Sequence, residues 1–298
     1  MKTVIRPLSF FCLFALSLSA GTTPSPDYLI KELESLRTQL TQANQALSEN
    51  ERIREDAAKK DANLPEDVRL KNKQNRVSDS GWLALFQNQK KVYEKYLTLL
   101  VKTFIIFPSS DQRFKEIQKE LNQQHPENCK NSLTVSWHDQ HSLLAKKIYP
   151  YLINPQIEKE KAEFFAILTK PSAGTNFEDF LHFVGLGAEP QNWHVQNTYS
   201  LASLRIGNVS NARSENKKLI RKATKYSRFN EPENQFNLRT RKELREYKLL
   251  RALIEATEGK KKEALRFQSE AMQIAPNHPP RKELQGIIDE TQGSLGNW

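Results

Sequence analysis

Residues 80–108 read SGWLALFQNQKKVYEKYLTLLVKTFIIFP, and this stretch decides the fold class. Trp82, Phe86, Tyr93, Leu97, Leu100, Phe104 and Phe107 recur at steps of three or four, or sums of them. That period lines one face of a helix, because side chains three and four apart lie one above the other. Pro108 cannot continue the helical hydrogen-bond ladder and ends the run. The stretch predicts one long amphipathic helix whose apolar face needs cover from neighbouring helices.

The same grammar extends downstream. Phe114, Ile117 and Leu121 predict a shorter helix after Ser110, and Trp137, Leu144, Ile148 and Leu152 predict another, cut at Pro150. Asn154-Pro155 reads as an N-cap followed by a first-turn proline, with Ile157, Phe164, Phe165 and Leu168 on one face behind it. Thr175 and Glu178 have capping-box spacing. Phe177, Phe180, Leu181 and Val184 form the stripe that follows, closed by Gly185 and Gly187. Only 133–135 alternates like a strand, and one strand makes no sheet. The expectation is an all-α chain. Composition agrees: 10 glycines in 298 residues is about half the usual share of ~7%, too few for the turns of a β-sandwich or barrel.

At the other end, Lys2 and Arg6 precede an 11-residue apolar run, 8–18, and the small residues Ser17, Ser19, Ala20 and Gly21 follow. Basic, apolar and small in that order is the pattern of an export signal, and the run is too short to span a bilayer as a helix, which takes ~20 residues. Residues 1–20 are therefore expected to be a signal peptide, with the mature chain periplasmic or secreted. No later stretch approaches ~20 apolar residues, so no transmembrane span is expected. Loss of Cys12 leaves Cys129 alone, which makes neither an intrachain disulfide nor a zinc site of the usual kind.

Leu29, Leu33, Leu36, Leu40, Ala43 and Leu47 are spaced 4, 3, 4, 3, 4, a heptad seam. It stops where Asn50 and Arg54 would continue it. Two readings stay open: an amphipathic helix packed on the body, or a short coiled-coil seam supporting weak self-association. From Glu51 to Asp79 the chain is mostly charge, Ala and Asn, a solvated helix or linker. The expected organisation is a signal peptide (1–20), a coiled-coil-like helix and charged linker (21–79), a central helical region (80–188) and a helical-repeat region (189–298).

The last region carries a family resemblance. Gly259 is followed by Ala264, Ala271 and Pro276 at intervals of five, seven and five. This resembles the second half of a tetratricopeptide repeat: the glycine makes the turn between antiparallel helices, the alanines permit close approach, and the proline ends the second helix. The aromatic near the first helix stands at Tyr247, and Gln268 occupies the usual bulky position. Gly207 and Ala212 repeat the glycine-to-alanine interval 52 residues upstream, with Leu219 and Thr224 in place of the second small residue and the proline. The resemblance implies a short solenoid that binds a protein or peptide. A coiled coil before such repeats also resembles the layout of periplasmic cell-division coordinator proteins of Gram-negative bacteria.

Chemistry is sparse. His138 and His141 are three apart and share a helix face, so a small exported metal-dependent hydrolase is the alternative reading. His182 and His194 have no nucleophile signature around them, and Gly185-Leu186-Gly187 lacks the third glycine and the strand of a dinucleotide site. The expectation is a non-catalytic protein with no cofactor. The charge pattern is more informative. The chain carries a net +10, and residues 211–251 hold 13 basic against 5 acidic residues, a net +8. Lys217, Arg221 and Lys225 fall on one helical row, beside Tyr226 and Arg228. For an exported chain the expected targets of this face are an acidic protein or peptide, anionic lipid or cell-wall polymers rather than nucleic acid.

Overall fold

The computed structural model describes residues 25–77, 79–125, 128, 137–154, 157–171, 192–227, 235–274, 284, 286 and 288–290. The protein is all-α: the described residues form helices and connecting turns, with no strand among them. Helix α1 (Pro26–Asp61) opens at Ser25, whose hydroxyl accepts from the Tyr28 amide at 3.3 Å, with Pro26 in the first turn. Helix α2 is Glu66–Val77 and α3 is Ser80–Ile106, ending one residue before Phe107 and two before Pro108.

Helices α1 and α3 are antiparallel partners. Gln89 donates to Asn44 at 2.9 Å, and the Arg54 guanidinium lies 4.6 Å from the Trp82 ring centroid, one helical stretch further along. The heptad seam therefore has its partner within the same chain. Leu29, Leu33, Ala43 and Leu47 are buried, and Leu36 and Leu40 pack at the edge of the same core. Between Leu47 on α1 and Gln89 on α3, no described side chain is buried. This outer part of the pair, together with α2, is held by polar ties: the Asp61–Arg76 ion pair, an Asn72–Asp61 hydrogen bond of 3.0 Å and a hydrogen bond from the Arg54 guanidinium to the Arg76 carbonyl.

Helix α4 (Gln112–Gln123) starts at Asp111, which accepts from the Arg113 amide at 2.9 Å, and buries Phe114, Ile117 and Leu121. Helix α5 (Trp137–Ile153) runs on past Pro150. The expected cut there does not occur: the proline lies in the last turn, and burial of Leu152 and Ile153 holds the three residues beyond it. A second correction concerns Asn154. It caps no helix; α6 begins at Lys159 with Glu158 before it, and the Asn154 carbonyl accepts from the Ile157 amide instead. Phe165 and Leu168 of α6 (Lys159–Thr169) are buried, with Phe104 and Phe165 rings 5.3 Å apart.

Further helices among the described residues are α7 (Asn192–Arg205), α8 (Val209–Tyr226), α9 (Gln235–Thr257) and α10 (Lys261–Ile274). Both α5 and α6 pack on α7, and then each helix packs on the next, α7 on α8, α8 on α9 and α9 on α10. One hydrophobic cluster threads all of this, from Leu29 and Leu33 through Phe104 and Phe165 to Leu284 and Ile288. A smaller one joins Trp193, Leu219, Ala223, Leu244 and Tyr247 across α7, α8 and α9. Among the described residues no helix is long and apolar enough to cross a membrane. The signal segment 1–20, Cys129, 133–135, the Thr175 and Glu178 pair, His182, Gly185, Gly187, Arg228 and Pro276 lie outside the described residues.

Candidate binding surface

The geometry of this surface starts from two turns. Gly207 and Gly259 both take positive φ, 81° and 75°, a region that glycine enters without a Cβ penalty. Each closes its helix with the same pair of bonds. The Gly207 amide donates to Leu204 and the Asn208 amide to Ser203; the Gly259 amide donates to Ala256 and the Lys260 amide to Glu255. This is the Schellman pattern, repeated at the 52-residue interval of the two glycines. It folds α8 back on α7 and α10 back on α9. Ala212, Ala264 and Ala271 are all fully buried at these helix contacts, where a larger side chain would hold the helices apart.

Ion pairs then lace the two hairpins together. Arg213 on α8 donates to Glu255 through Nε and Nη2, at 3.2 Å each, and also pairs with Glu258. Arg251 donates to Glu255 at 2.6 Å and to the Arg213 carbonyl at 3.2 Å. Lys260 reaches Glu258 at 2.8 Å. The Glu255 carboxylate is 4% exposed, so its two guanidinium partners supply what water would otherwise supply. Hydrogen bonds from Arg213 and Lys260 hold the Glu258 carboxyl down to about 2, and the bonds to Glu258 and Glu255 raise the Arg213 guanidinium. Elsewhere on the hairpins Lys218 pairs with Glu215 at 2.7 Å, Lys248 with Glu270, and Arg266 with Glu263 at 2.7 Å.

The row Lys217, Arg221 and Lys225 stands apart from this pairing. All three are exposed on α8. Lys217 and Arg221 make no ion pair among the described residues, and the Lys225 ammonium lies 5.6 Å from the Tyr226 ring centroid. Tyr226 is half-buried and belongs to the smaller core, its ring 6.4 Å from that of Trp193. The opposite side of α8 buries Ala212, Asn216, Leu219 and Ala223 against the neighbouring helices, with Asn216 donating to the Tyr247 carbonyl at 2.8 Å. Packing therefore fixes which way the row faces. Three like charges one helical turn apart repel one another modestly, and an anion laid along them relieves that repulsion.

The structure gives His141 a histidine neighbour that the sequence reading did not consider. His141 is buried on α5, and its Nε2 lies 3.3 Å from Nε2 of His125, just past the end of α4. Sixteen residues separate them in the chain, so no local spacing announces the pair. The His138 side chain lies outside what is described. His194 faces Glu243 at 3.9 Å. The role of Glu255 in joining the hairpins was not legible in sequence either: Arg251 stands four residues before it on α9, but its other partner, Arg213, comes from the other hairpin. The chain matches no family model, no curated protein and no solved structure in the comparisons made.

Proposed function

We propose that this chain is an exported, non-catalytic helical-repeat scaffold that binds an acidic protein or peptide segment on the row Lys217, Arg221 and Lys225, with Tyr226 beside it. One observation carries the reading: the hairpins neutralise Arg213, Lys218, Lys248, Arg251, Lys260 and Arg266 with carboxylates, while Lys217 and Arg221, like Lys242, Lys261 and Lys262, have none among the described residues, and Lys217 and Arg221 share one exposed helical row with Lys225. Two hairpins with the same turn and the same buried alanine position support reading this region as tetratricopeptide-like repeats. The order of basic, apolar and small residues at 1–20 supports export.

The test uses the full mature chain as bait against the solubilised envelope of its source cell, and separately against a fluorescent glutamate-rich helical peptide. Binding is expected to weaken as salt rises, because the Debye length falls from ~10 Å at 0.1 M to ~3 Å at 1 M. Replacing Lys217, Arg221 and Lys225 together by Glu is expected to abolish binding while melting shifts by less than ~0.5 kcal/mol, as for other surface changes. Binding indifferent to both salt and charge reversal refutes the acidic-partner reading. Unfolding of the triple variant assigns the row a structural role instead.

A further inference from the structure

We propose that the outward face of α2 pairs with the same face of a second copy of this chain, antiparallel about Leu70. The side chains of Asn72 and Arg76 both bond Asp61 of α1, which turns their side of α2 inward. At about 100° per residue, Leu70 falls roughly opposite Asn72. It is 54% exposed, and no described side chain between Leu47 and Gln89 is buried to form a core for it. Glu66 and Lys73 lie on one flank of Leu70, and Asp67 and Lys71 on the other. All four are exposed, and none makes an ion pair or a side-chain hydrogen bond among the described residues.

That arrangement is complementary to itself. In an antiparallel pair each flank of one helix lies beside the same flank of the other. With Leu70 against Leu70, Glu66 of one copy comes level with Lys73 of the other, and Asp67 with Lys71, to within two residues, about 3 Å. A two-fold axis through the leucines makes each of these contacts twice. A parallel pair would instead set acid beside acid and base beside base, so charge selects the antiparallel one. The helix dipole favours the same order of charge along α2; it accounts for neither an exposed leucine at the midpoint nor flanks matched pair for pair. One leucine and exposed ion pairs make a small interface, well below the ~1,200 Å² of stable complexes. The pairing is therefore weak and concentration-dependent, with an expected Kd between ~10 μM and ~1 mM. It leaves the heptad seam packed on α3 and is independent of the basic row on α8.

The experiment is sedimentation of the full mature chain across that concentration range, where a reversible dimer is expected. Glu66→Lys/Asp67→Lys makes all four flanking positions basic, and Lys71→Glu/Lys73→Glu makes them all acidic. Each variant alone should be monomeric, with helicity unchanged as for other surface substitutions. An equimolar mixture of the two should recover a dimer at least as tight as that of the unsubstituted chain, a gain that misfolded variants would not show. In a Cys129→Ser background, Leu70→Cys should cross-link chain to chain on mild oxidation, since a disulfide needs Cα atoms within ~7 Å. Leu265→Cys on α10, at a leucine similarly exposed (45%), should not. An unsubstituted chain that stays monomeric to ~1 mM overturns the proposal. So does a dimer that survives either charge-reversed variant, a mixture of the two folded variants that stays monomeric, or cross-linking at position 265 as fast as at position 70.

Discussion

The two hairpins, α7–α8 and α9–α10, bury the same positions in the same order over 193–204 and 245–256, yet they fill them with different chemistry. Positions 197, 198, 200 and 203 are Asn, Thr, Ser and Ser in the first, all buried; their counterparts 249, 250, 252 and 255 are Leu, Leu, Ala and Glu. In the first hairpin two of the polar groups find backbone partners on adjoining helices: Thr198 on the Ala145 carbonyl at 3.4 Å, Ser200 on the Ala212 carbonyl at 2.8 Å. In the second, apolar burial and one charged knot around Glu255 do that work. Turn geometry and small residues set the frame, while the contents decide how strongly each hairpin adheres. Arg205 at the end of α7 marks the polar extreme: neither its Nε nor its Nη2 has an acceptor among the described residues, and burial pushes its pKa down.

If that division holds, equivalent substitutions should have unequal effects. Leu250→Ala deletes a fully buried side chain and is expected to destabilise by ~2–5 kcal/mol, the range for such core truncations. Thr198→Ala, at the matching position, gives up one long hydrogen bond and should cost about 1 kcal/mol. Denaturant unfolding of the two variants measures the difference. Equal losses would mean that the frame, not its contents, carries the energy.

The next pair compares Glu255 with Ser203. Glu255→Gln leaves Arg251 without its carboxylate and Arg213 with Glu258 alone. Breaking a fully buried pair costs ~3–5 kcal/mol; these guanidinium groups are partly exposed, so a loss of roughly 2 kcal/mol is expected after screening. Ser203→Ala removes only the acceptor of the Asn211 side-chain Nδ2 at 2.8 Å, worth ~0.5–1.5 kcal/mol. A smaller loss for Glu255→Gln than for Ser203→Ala, in the same unfolding measurement, would strip the charged knot of its role.

The turns should behave alike where the contents do not. A Cβ at Gly207 or Gly259 meets no atom within 4 Å, so each Gly→Ala change is penalised only by its positive φ, ~1–2 kcal/mol. Melting curves of the two single variants are expected to agree. A clear inequality would show that the hairpins differ in turn strain as well as in filling.

Acid provides the mildest probe. The Glu258 carboxyl is held at about 2 in the folded protein against 4.5 for the free group. Its folded value is depressed, so its contribution is fully present above 4.5 and fades as pH falls towards 2. Stability of the unsubstituted chain should therefore fall more steeply over that window than stability of Glu258→Gln, in melts recorded from pH 5 to pH 2. Parallel curves would detach Glu258 from the inter-hairpin knot.

The helices were largely legible before any coordinates, because amphipathic period, caps and prolines act within a few residues. The 80–108 stretch, the Phe114 helix and the two glycine turns fall where local rules put them. Where local rules met tertiary packing, packing won. Pro150 does not end α5, since Leu152 and Ile153 have a core to enter, and α1 continues 14 residues beyond Leu47, the end of its seam. The row Lys217, Arg221 and Lys225 was legible as a row, because it obeys a four-residue step. That its neighbours are neutralised was not, because Arg213 meets Glu255 and Glu258 from 42 and 45 residues away.

The sequence by itself determined an all-α chain, its turn glycines, its close-packed alanines and the line of charge on α8. Each follows from the stereochemistry of one residue or from the repeat of one helix, which neighbours in the chain suffice to express. Tertiary structure alone decided that the heptad seam is covered by α3, that His141 faces His125, and which cations of the hairpins have a carboxylate partner among the described residues. These are pairings between side chains far apart in sequence. Their distances exist only once the apolar faces have chosen partners, and burial of those faces, not any local preference, makes the choice.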